Sequence, residues 1–137
     1  MSVKDIQLIL VDSSAWIKSF RGEADRDSLR VISSAIEDNC CVITPPIVVE
    51  LLQGAKNAKE FQLLKKQLES LIVDKITDLD WEKVYELAFL LRRKGFAIPT
   101  MDILIASRAV EKKYLLLHCD KHFQLIAKYS KLDQLSM

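Results

Sequence analysis

The chain has little of anything that breaks regular structure or ties it covalently. Its 137 residues include only three glycines, three prolines and three cysteines. So few punctuating residues leave little room for long irregular loops. The cysteines (Cys40, Cys41 and Cys119) are odd in number, two are adjacent, and no C-x-x-C pair occurs, which argues against a disulfide framework or a zinc knuckle. No apolar run approaches the roughly 20 residues that span a bilayer. The stretch from Ile6 to Val11 is short and contains Gln7, unlike the core of a signal peptide. The expected setting is a reducing cytoplasm with no membrane attachment. A charge excess is also missing: 20 basic and 19 acidic residues leave a formal charge of +1. The strong basic balance of many nucleic-acid-binding domains is therefore absent. The local clusters Arg92-Arg93-Lys94, Lys112-Lys113 and Lys65-Lys66 offer a basic rim around an acidic centre, although charge runs are more often solvated faces.

Half of the residues are hydrophobic and 28% are charged, as in ordinary globular domains. The length suits one domain with a real core. Short apolar runs alternate with amphipathic stretches. Strands are expected at Ile6 to Val11, Cys40 to Thr44, Leu71 to Ile76 and Tyr114 to Cys119, with an edge strand near Leu132 to Leu135. Helices are expected at Ala15 to Phe20, capped by Ser13-Ser14; at residues 25–38, with Leu29, Ile32, Ser33 and Ile36 on one face; and at Ile47 to Gln53, opened by Pro45-Pro46. Further helices are expected at residues 57–70; at Asp80 to Lys94, with Val84, Leu87, Ala88 and Leu91 at helical spacing before Gly95; from Pro99-Thr100 to about Lys112; and at Phe123 to Lys128. This alternation predicts an α/β sandwich around a mainly parallel sheet, with helices on both faces.

In open parallel sheets, ligands bind at the carboxyl ends of strands. Asp12 directly follows the first apolar run and Asp120 directly follows the fourth, so neighbouring strands would project both carboxylates from one edge. Glu50 sits in Ile47-Val48-Val49-Glu50-Leu51-Leu52, where a carboxylate is expensive unless paired, hydrogen-bonded or bound to a cation. Asp102 opens a helix beside Ile103-Leu104-Ile105-Ala106. Each acid also has a plain explanation: a turn or cap for Asp12, a strand-end turn for Asp120, a salt-bridged acid for Glu50, a dipole partner for Asp102. Their coincidence at termini that a parallel sheet gathers together favours a shared site. Four carboxylates in one pocket repel one another. A hard divalent cation such as magnesium answers that repulsion with oxygen ligation, and suits phosphodiester hydrolysis.

Four blocks together resemble a known family. Val11-Asp12-Ser13-Ser14-Ala15-Trp16-Ile17 resembles the opening motif of PIN domains, and Pro46-Ile47-Val48-Val49-Glu50-Leu51-Leu52-Gln53-Gly54 resembles the helix that bears their conserved Glu. Gly95-Phe96-Ala97-Ile98-Pro99-Thr100-Met101-Asp102-Ile103-Leu104-Ile105-Ala106 closely resembles the third block, and Leu115 to Phe123 the fourth. Order, spacing and length are similar to VapC-like toxins across nearly the whole chain. The resemblance implies a single PIN-like nuclease domain over residues 1–137, a three-layer α/β/α sandwich with a parallel sheet of about five strands. It implies that Asp12, Glu50, Asp102 and Asp120 are the catalytic and metal-binding acids, with Ser13 or Ser14 supporting the first. It implies a Mg2+-dependent (or Mn2+-dependent) endoribonuclease, commonly a homodimer, silenced by a small cognate antitoxin. Ser13 stands where the family often has Thr, and keeps the hydroxyl. His118-Cys119 stands where a Thr or Ser often precedes the last Asp, so a supporting hydroxyl there is expected to be missing.

Other readings are weaker. His118, Cys119, Asp120 and His122 are too tightly spaced for one transition-metal ion to take all four; His118 suits the core and His122 the surface of a helix. Trp16 and Trp81 suit packing better than stacking on RNA bases. A flavodoxin-like or phosphatase-type domain lacks its Gly-rich phosphate loop after the first strand. A catalytically silent PIN-like module that binds RNA or a partner is the non-enzymatic alternative.

Overall fold

Strand β1 (Ile9–Val11) leads through helices α1 (Ser13–Phe20) and α2 (Arg26–Glu37) to β2 (Cys41–Ile43). Helices α3 (Pro45–Leu52) and α4 (Ala58–Glu69) then lead to β3 (Ile72–Val73). Helices α5 (Trp81–Arg93) and α6 (Thr100–Lys112) lead to β4 (Leu115–His118), and α7 (Lys121–Lys128) leads to β5 (Asp133–Ser136). The computed structural model describes residues 6–137, so the first five positions of the expected 1–137 domain lie outside the described residues.

The five strands form one sheet in the order β3-β2-β1-β4-β5, and every neighbouring pair is parallel. The chain steps from β1 outward to β3, then crosses back to β4 and steps outward the other way. Right-handed crossovers put α1 to α4 on one face and α5 to α7 on the other. The reversal falls between β1 and β4, where Ile9 pairs Leu115 and Val11 pairs Leu117. A parallel sheet opens a crevice at such a reversal, at the carboxyl ends of its strands. The central strands are buried on both faces, with Leu10, Val11, Val42, Ile43, Leu116 and Leu117 fully enclosed. This is why they read as unbroken apolar runs.

Several expected boundaries move, each for a local reason. The first strand begins at Ile9, because Gln7 lies beyond the ladder and its amide donates to Lys113 O and Asp133 Oδ2. The third strand stops at Val73: the Asp74 carboxylate is taken by Arg108 and Tyr114, and Ile76 adopts a positive φ of 57° that no strand continues. In α2 the buried face is Ser28, Ile32 and Ala35, and Leu29 and Ile36 are exposed. The Asp25 cap, bonded by Ser28, sets the phase of that helix, and small side chains face β2. The Ser13-Ser14 pair lies within α1, whose cap is Asp12. The last helix starts at Lys121, two residues earlier than the apolar pattern suggests, because Asp120 caps it. The α5 stop falls as expected, at Gly95 with φ 90°.

Candidate active site

Two of the four acids leave their strands and immediately cap a helix. Asp12 follows β1, and its Oδ2 accepts Ser14 N–H at 3.0 Å and the Ser14 hydroxyl at 2.5 Å. Asp120 follows β4, and its Oδ1 accepts His122 N–H at 2.9 Å. The capping role is therefore real for both. It occupies one oxygen of each carboxylate and holds the residue at the crevice. Asp12 is only 4% exposed. Burial raises its pKa above the ordinary carboxylate value, hydrogen bonds from Ser14 oppose that, and the charge of Glu50 adds to the rise.

Glu50 comes from α3 on one layer. Its Oε2 accepts the Ser13 hydroxyl at 2.6 Å, so the two consecutive serines serve two different acids. Asp102 comes from the other layer, in the first turn of α6. Burial pushes its pKa up to about 6; the His122 hydrogen bond opposes the rise, and the negative charges of Asp120 and Asp12 add to it. Electrostatics thus connects the four expected acids in one chain: Glu50 acts on Asp12, and Asp12 and Asp120 act on Asp102. Their tightest group is narrower. Among the described residues, Asp102, Asp120 and His122 bring ligand atoms within 4.8 Å of one another.

His122 is the residue that sequence reasoning missed, having placed it on the surface. It is half-buried, with Nδ1 3.0 Å from Asp102 Oδ2 and 3.3 Å from Asp120 Oδ1. The one available signal was its position in the first turn after a capping Asp, where a side chain can fold back over the strand ends. His118 is committed elsewhere. Its Nδ1 accepts Asp120 N–H at 3.1 Å, so its proton lies on Nε2, which donates to Gln134 Oε1 at 2.6 Å. With both nitrogens engaged, His118 fixes the backbone of Asp120 and joins no metal group. The hydroxyl expected to be missing before Asp120 is supplied from α1, where Ser14 Oγ accepts Cys119 N–H at 3.0 Å.

Of the basic clusters, Lys112-Lys113 ends α6, roughly 15 Å from Asp102 at a rise of about 1.5 Å per residue, and so does not rim the acids. A cation that does approach is Lys18 of α1, whose Nζ lies 3.7 Å from Cys119 Sγ. Three grooves lie elsewhere, two between α5 and α6 and one along α7, and none of them is lined by the four acids.

The donor set is oxygen-rich, and Asp12 and Asp102 have pKa values raised first by burial and further by neighbouring carboxylates. Such a set fits a hard divalent cation.

Sequence and fold are similar to those of known proteins. Over 132 residues the chain is 26% identical to the VapC ribonuclease Mb1587 of Mycobacterium bovis and to the ribonuclease VapC11 of Mycobacterium tuberculosis, covering 94% of this chain and 98% of each relative. Its fold is similar to VapBC2 from Rickettsia felis bound to a promoter DNA fragment (TM-score 0.78, 20% identity, 96% of this chain and 99% of that one). It is also similar to VapBC-1 from nontypeable Haemophilus influenzae (TM-score 0.76, 18% identity, 95% and 98%). The DNA-bound VapBC of Salmonella typhimurium aligns with a TM-score of 0.75 at 15% identity, over 96% and 98% of the two chains. The PIN domain model matches residues 9–129, from the first strand of the sheet to the end of the last helix, and the chain belongs to the PIN domain family.

Proposed function

We propose that the chain is a metal-dependent endoribonuclease, the toxin of a toxin–antitoxin pair, acting in the cytoplasm as one nuclease domain over residues 1–137. The observation that carries this reading is the electrostatic linkage of Asp12 with Glu50 and of Asp102 with Asp12 and Asp120, with Asp102 held at a pKa of about 6 by burial and by its acidic neighbours. The ribonuclease relatives and the VapBC neighbours support it.

In this reading the four acids hold Mg2+ or Mn2+, which when bound supplies a water of lowered pKa and polarises the scissile phosphate. The chain's own contributions are positional. Ser14 holds one oxygen of Asp12 by a hydrogen bond, and Ser13 holds one oxygen of Glu50. His118 fixes the backbone of Asp120. Lys18, at the rim, offers a positive charge for an RNA phosphate. The partners are RNA, a small cognate antitoxin and a second copy of the chain. The chain carries all four acids, Asp12, Glu50, Asp102 and Asp120, which favours the enzyme over a silent binding module.

The test is cleavage of a mixed RNA pool with Mg2+ by the wild type, Asp12→Asn and Asp102→Asn. Loss of cleavage in both variants supports the mechanism. Equal cleavage by all three proteins would sink it, and no cleavage by folded, metal-loaded wild type would favour the binding module.

A further inference from the structure

At the amino end of the sheet, opposite the acids, a cavity of about 390 Å³ opens between the start of α5 and the end of α6. Ser130 and Lys131, which lead into β5, close a third side. Its end at Lys113 lies roughly 15 Å along α6 from Asp102, at a rise of about 1.5 Å per residue. The volume is in the range that takes a small organic ligand. Leu79, Leu87 and Val110 give it an apolar wall. Ser107 also lines it, and the Ser107 hydroxyl is buried with no hydrogen-bond partner. A buried polar atom of this kind is costly unless something bonds it, and what Ser107 borders is the cavity.

Lysines supply the charge. Lys83, Lys113 and Lys131 line the cavity, and among the described residues none of them belongs to an ion pair. The acids on its wall are already engaged. Asp80 Oδ1 accepts Lys83 N–H, Glu111 Oε2 accepts Asp80 N–H at 3.0 Å, and Glu111 Oε1 pairs with Arg108 at 2.6 Å. Lys113 ends α6 at φ 58°, the left-handed backbone in which glycine is usual. Lysine bears a backbone cost there that glycine would not, and strain of this kind gathers at ligand clamps. We propose that this cavity binds a nucleoside phosphate, with the phosphate among the three ammoniums and the nucleoside against Leu79, Leu87 and Val110. A carboxylate brings one negative charge, whereas a phosphate monoester brings about 1.5 to 2 near neutral pH, which suits three lysines better. A nucleoside adds an apolar face for the leucines and polar edges for Ser107. A lipid tail would leave the Ser107 hydroxyl without a partner. A free nucleotide and the phosphorylated end of an RNA present the same chemistry here.

The cavity shares no residue with the four acids, so this proposal stands or falls apart from the ribonuclease reading. The test titrates the isotope-labelled full-length chain with adenosine monophosphate, in chelator, and follows amide NMR shifts. Shifts are expected to centre on Ser107, Val110, Lys113 and Lys131 and to spare Asp12 and Asp102. Adenosine and inorganic phosphate, each one half of the ligand, are expected to bind about tenfold more weakly. Lys113→Gly is expected to weaken the nucleotide about tenfold, the loss of one charge-assisted hydrogen bond. Its Tm should hold or rise, because glycine suits the positive φ. Lys131→Ala is expected to weaken the nucleotide likewise without altering that backbone. In a second arm, a short RNA with a phosphorylated 5′ end that binds as tightly as the mononucleotide identifies a strand end as the ligand. Weaker binding of that RNA leaves the free nucleotide. No shifts, shifts centred on Asp12 and Asp102, or unchanged affinity in both lysine variants overturns the site. Adenosine or inorganic phosphate that binds as tightly as the nucleotide overturns the ligand class.

Discussion

Ser13 Oγ donates to Glu50 Oε2 at 2.6 Å, joining the first turn of α1 to α3 across 37 positions of sequence. A hydrogen bond to a carboxylate contributes about 1.5–3 kcal/mol, and its loss frees a side chain with several rotamers. Ser13→Ala is expected to lower cleavage about tenfold at saturating metal and to lower Tm by a few degrees. Ser13→Thr keeps the hydroxyl and is expected to retain most activity. If the alanine and threonine variants cleave equally well, Glu50 does not need this bond.

His122 makes a second prediction. An imidazole nitrogen between two carboxylates suits Mn2+ better than Mg2+, which strongly prefers oxygen. Calorimetric titration is expected to show tighter Mn2+ than Mg2+ binding by the wild type. In His122→Ala the preference should narrow about tenfold, the lower end of what supporting groups of metal sites contribute. An unchanged ratio of the two affinities would remove His122 from the ion's surroundings.

The acids differ in how far the sequence alone could reach them. Asp12 and Asp120 end apolar runs, and a buried parallel strand needs such a run, so their placement at the sheet's carboxyl edge follows from composition. That their strands are neighbours does not, because β1 is followed in sequence by β2 and meets β4 only through the crossover. Glu50 was legible as an isolated charge in an apolar helix, and Asp102 through the block around Ile98-Pro99-Thr100-Met101-Asp102. The two serines looked interchangeable in sequence, yet one helical step turns Ser14 to Asp12 and Ser13 to Glu50. The phase of α2 was misread because Leu29 and Ile36 imitate a buried stripe while Ser28 and Ala35 are small enough to make the real one. His122 was hidden because its partners come from two elements that only the fold brings together.

Away from the crevice, Arg108 on α6 makes two hydrogen bonds to Asp74 and one to Glu111. Burial acts to raise the Asp74 pKa, but the bonds from Arg108 and Tyr114 prevail and hold it at about 2. This clamp ties the segment after β3 to α6 and touches none of the four acids. Breaking a buried pair from one side typically costs about 3–5 kcal/mol, since the remaining charge is left uncompensated. Arg108→Met is expected to lose that much in urea unfolding while cleavage per folded molecule stays unchanged. The double variant Arg108→Met with Asp74→Leu is expected to recover part of the loss. A double variant less stable than the single would show that an unpaired Asp74 charge is not what Arg108→Met costs.

Asp102 gives the sharpest test, because its sign is unusual for an acid. Its folded pKa of about 6 lies well above the ordinary value of an aspartate, so the folded chain binds this proton more tightly than the unfolded chain does. The favourable contribution is complete below about pH 4 and is lost as pH rises through about 6. Ionised Asp102 therefore destabilises the metal-free protein at neutral pH, by about 2 kcal/mol once solvent screening of a partly open crevice is allowed for. Asp102→Asn removes this term. The variant is expected to melt about 5–8 °C above the wild type at pH 7.5 in chelator, and the difference should vanish near pH 4. Added Mn2+ should reverse the order, because binding stabilises the protein that keeps the full acid set. Mn2+ affinity of the wild type should in turn fall below pH 6, where the proton and the ion compete for the same oxygens. A difference in Tm that stays constant from pH 4 to pH 8 would show that Asp102 is not held in the strained, ionised state that makes it ready for a cation.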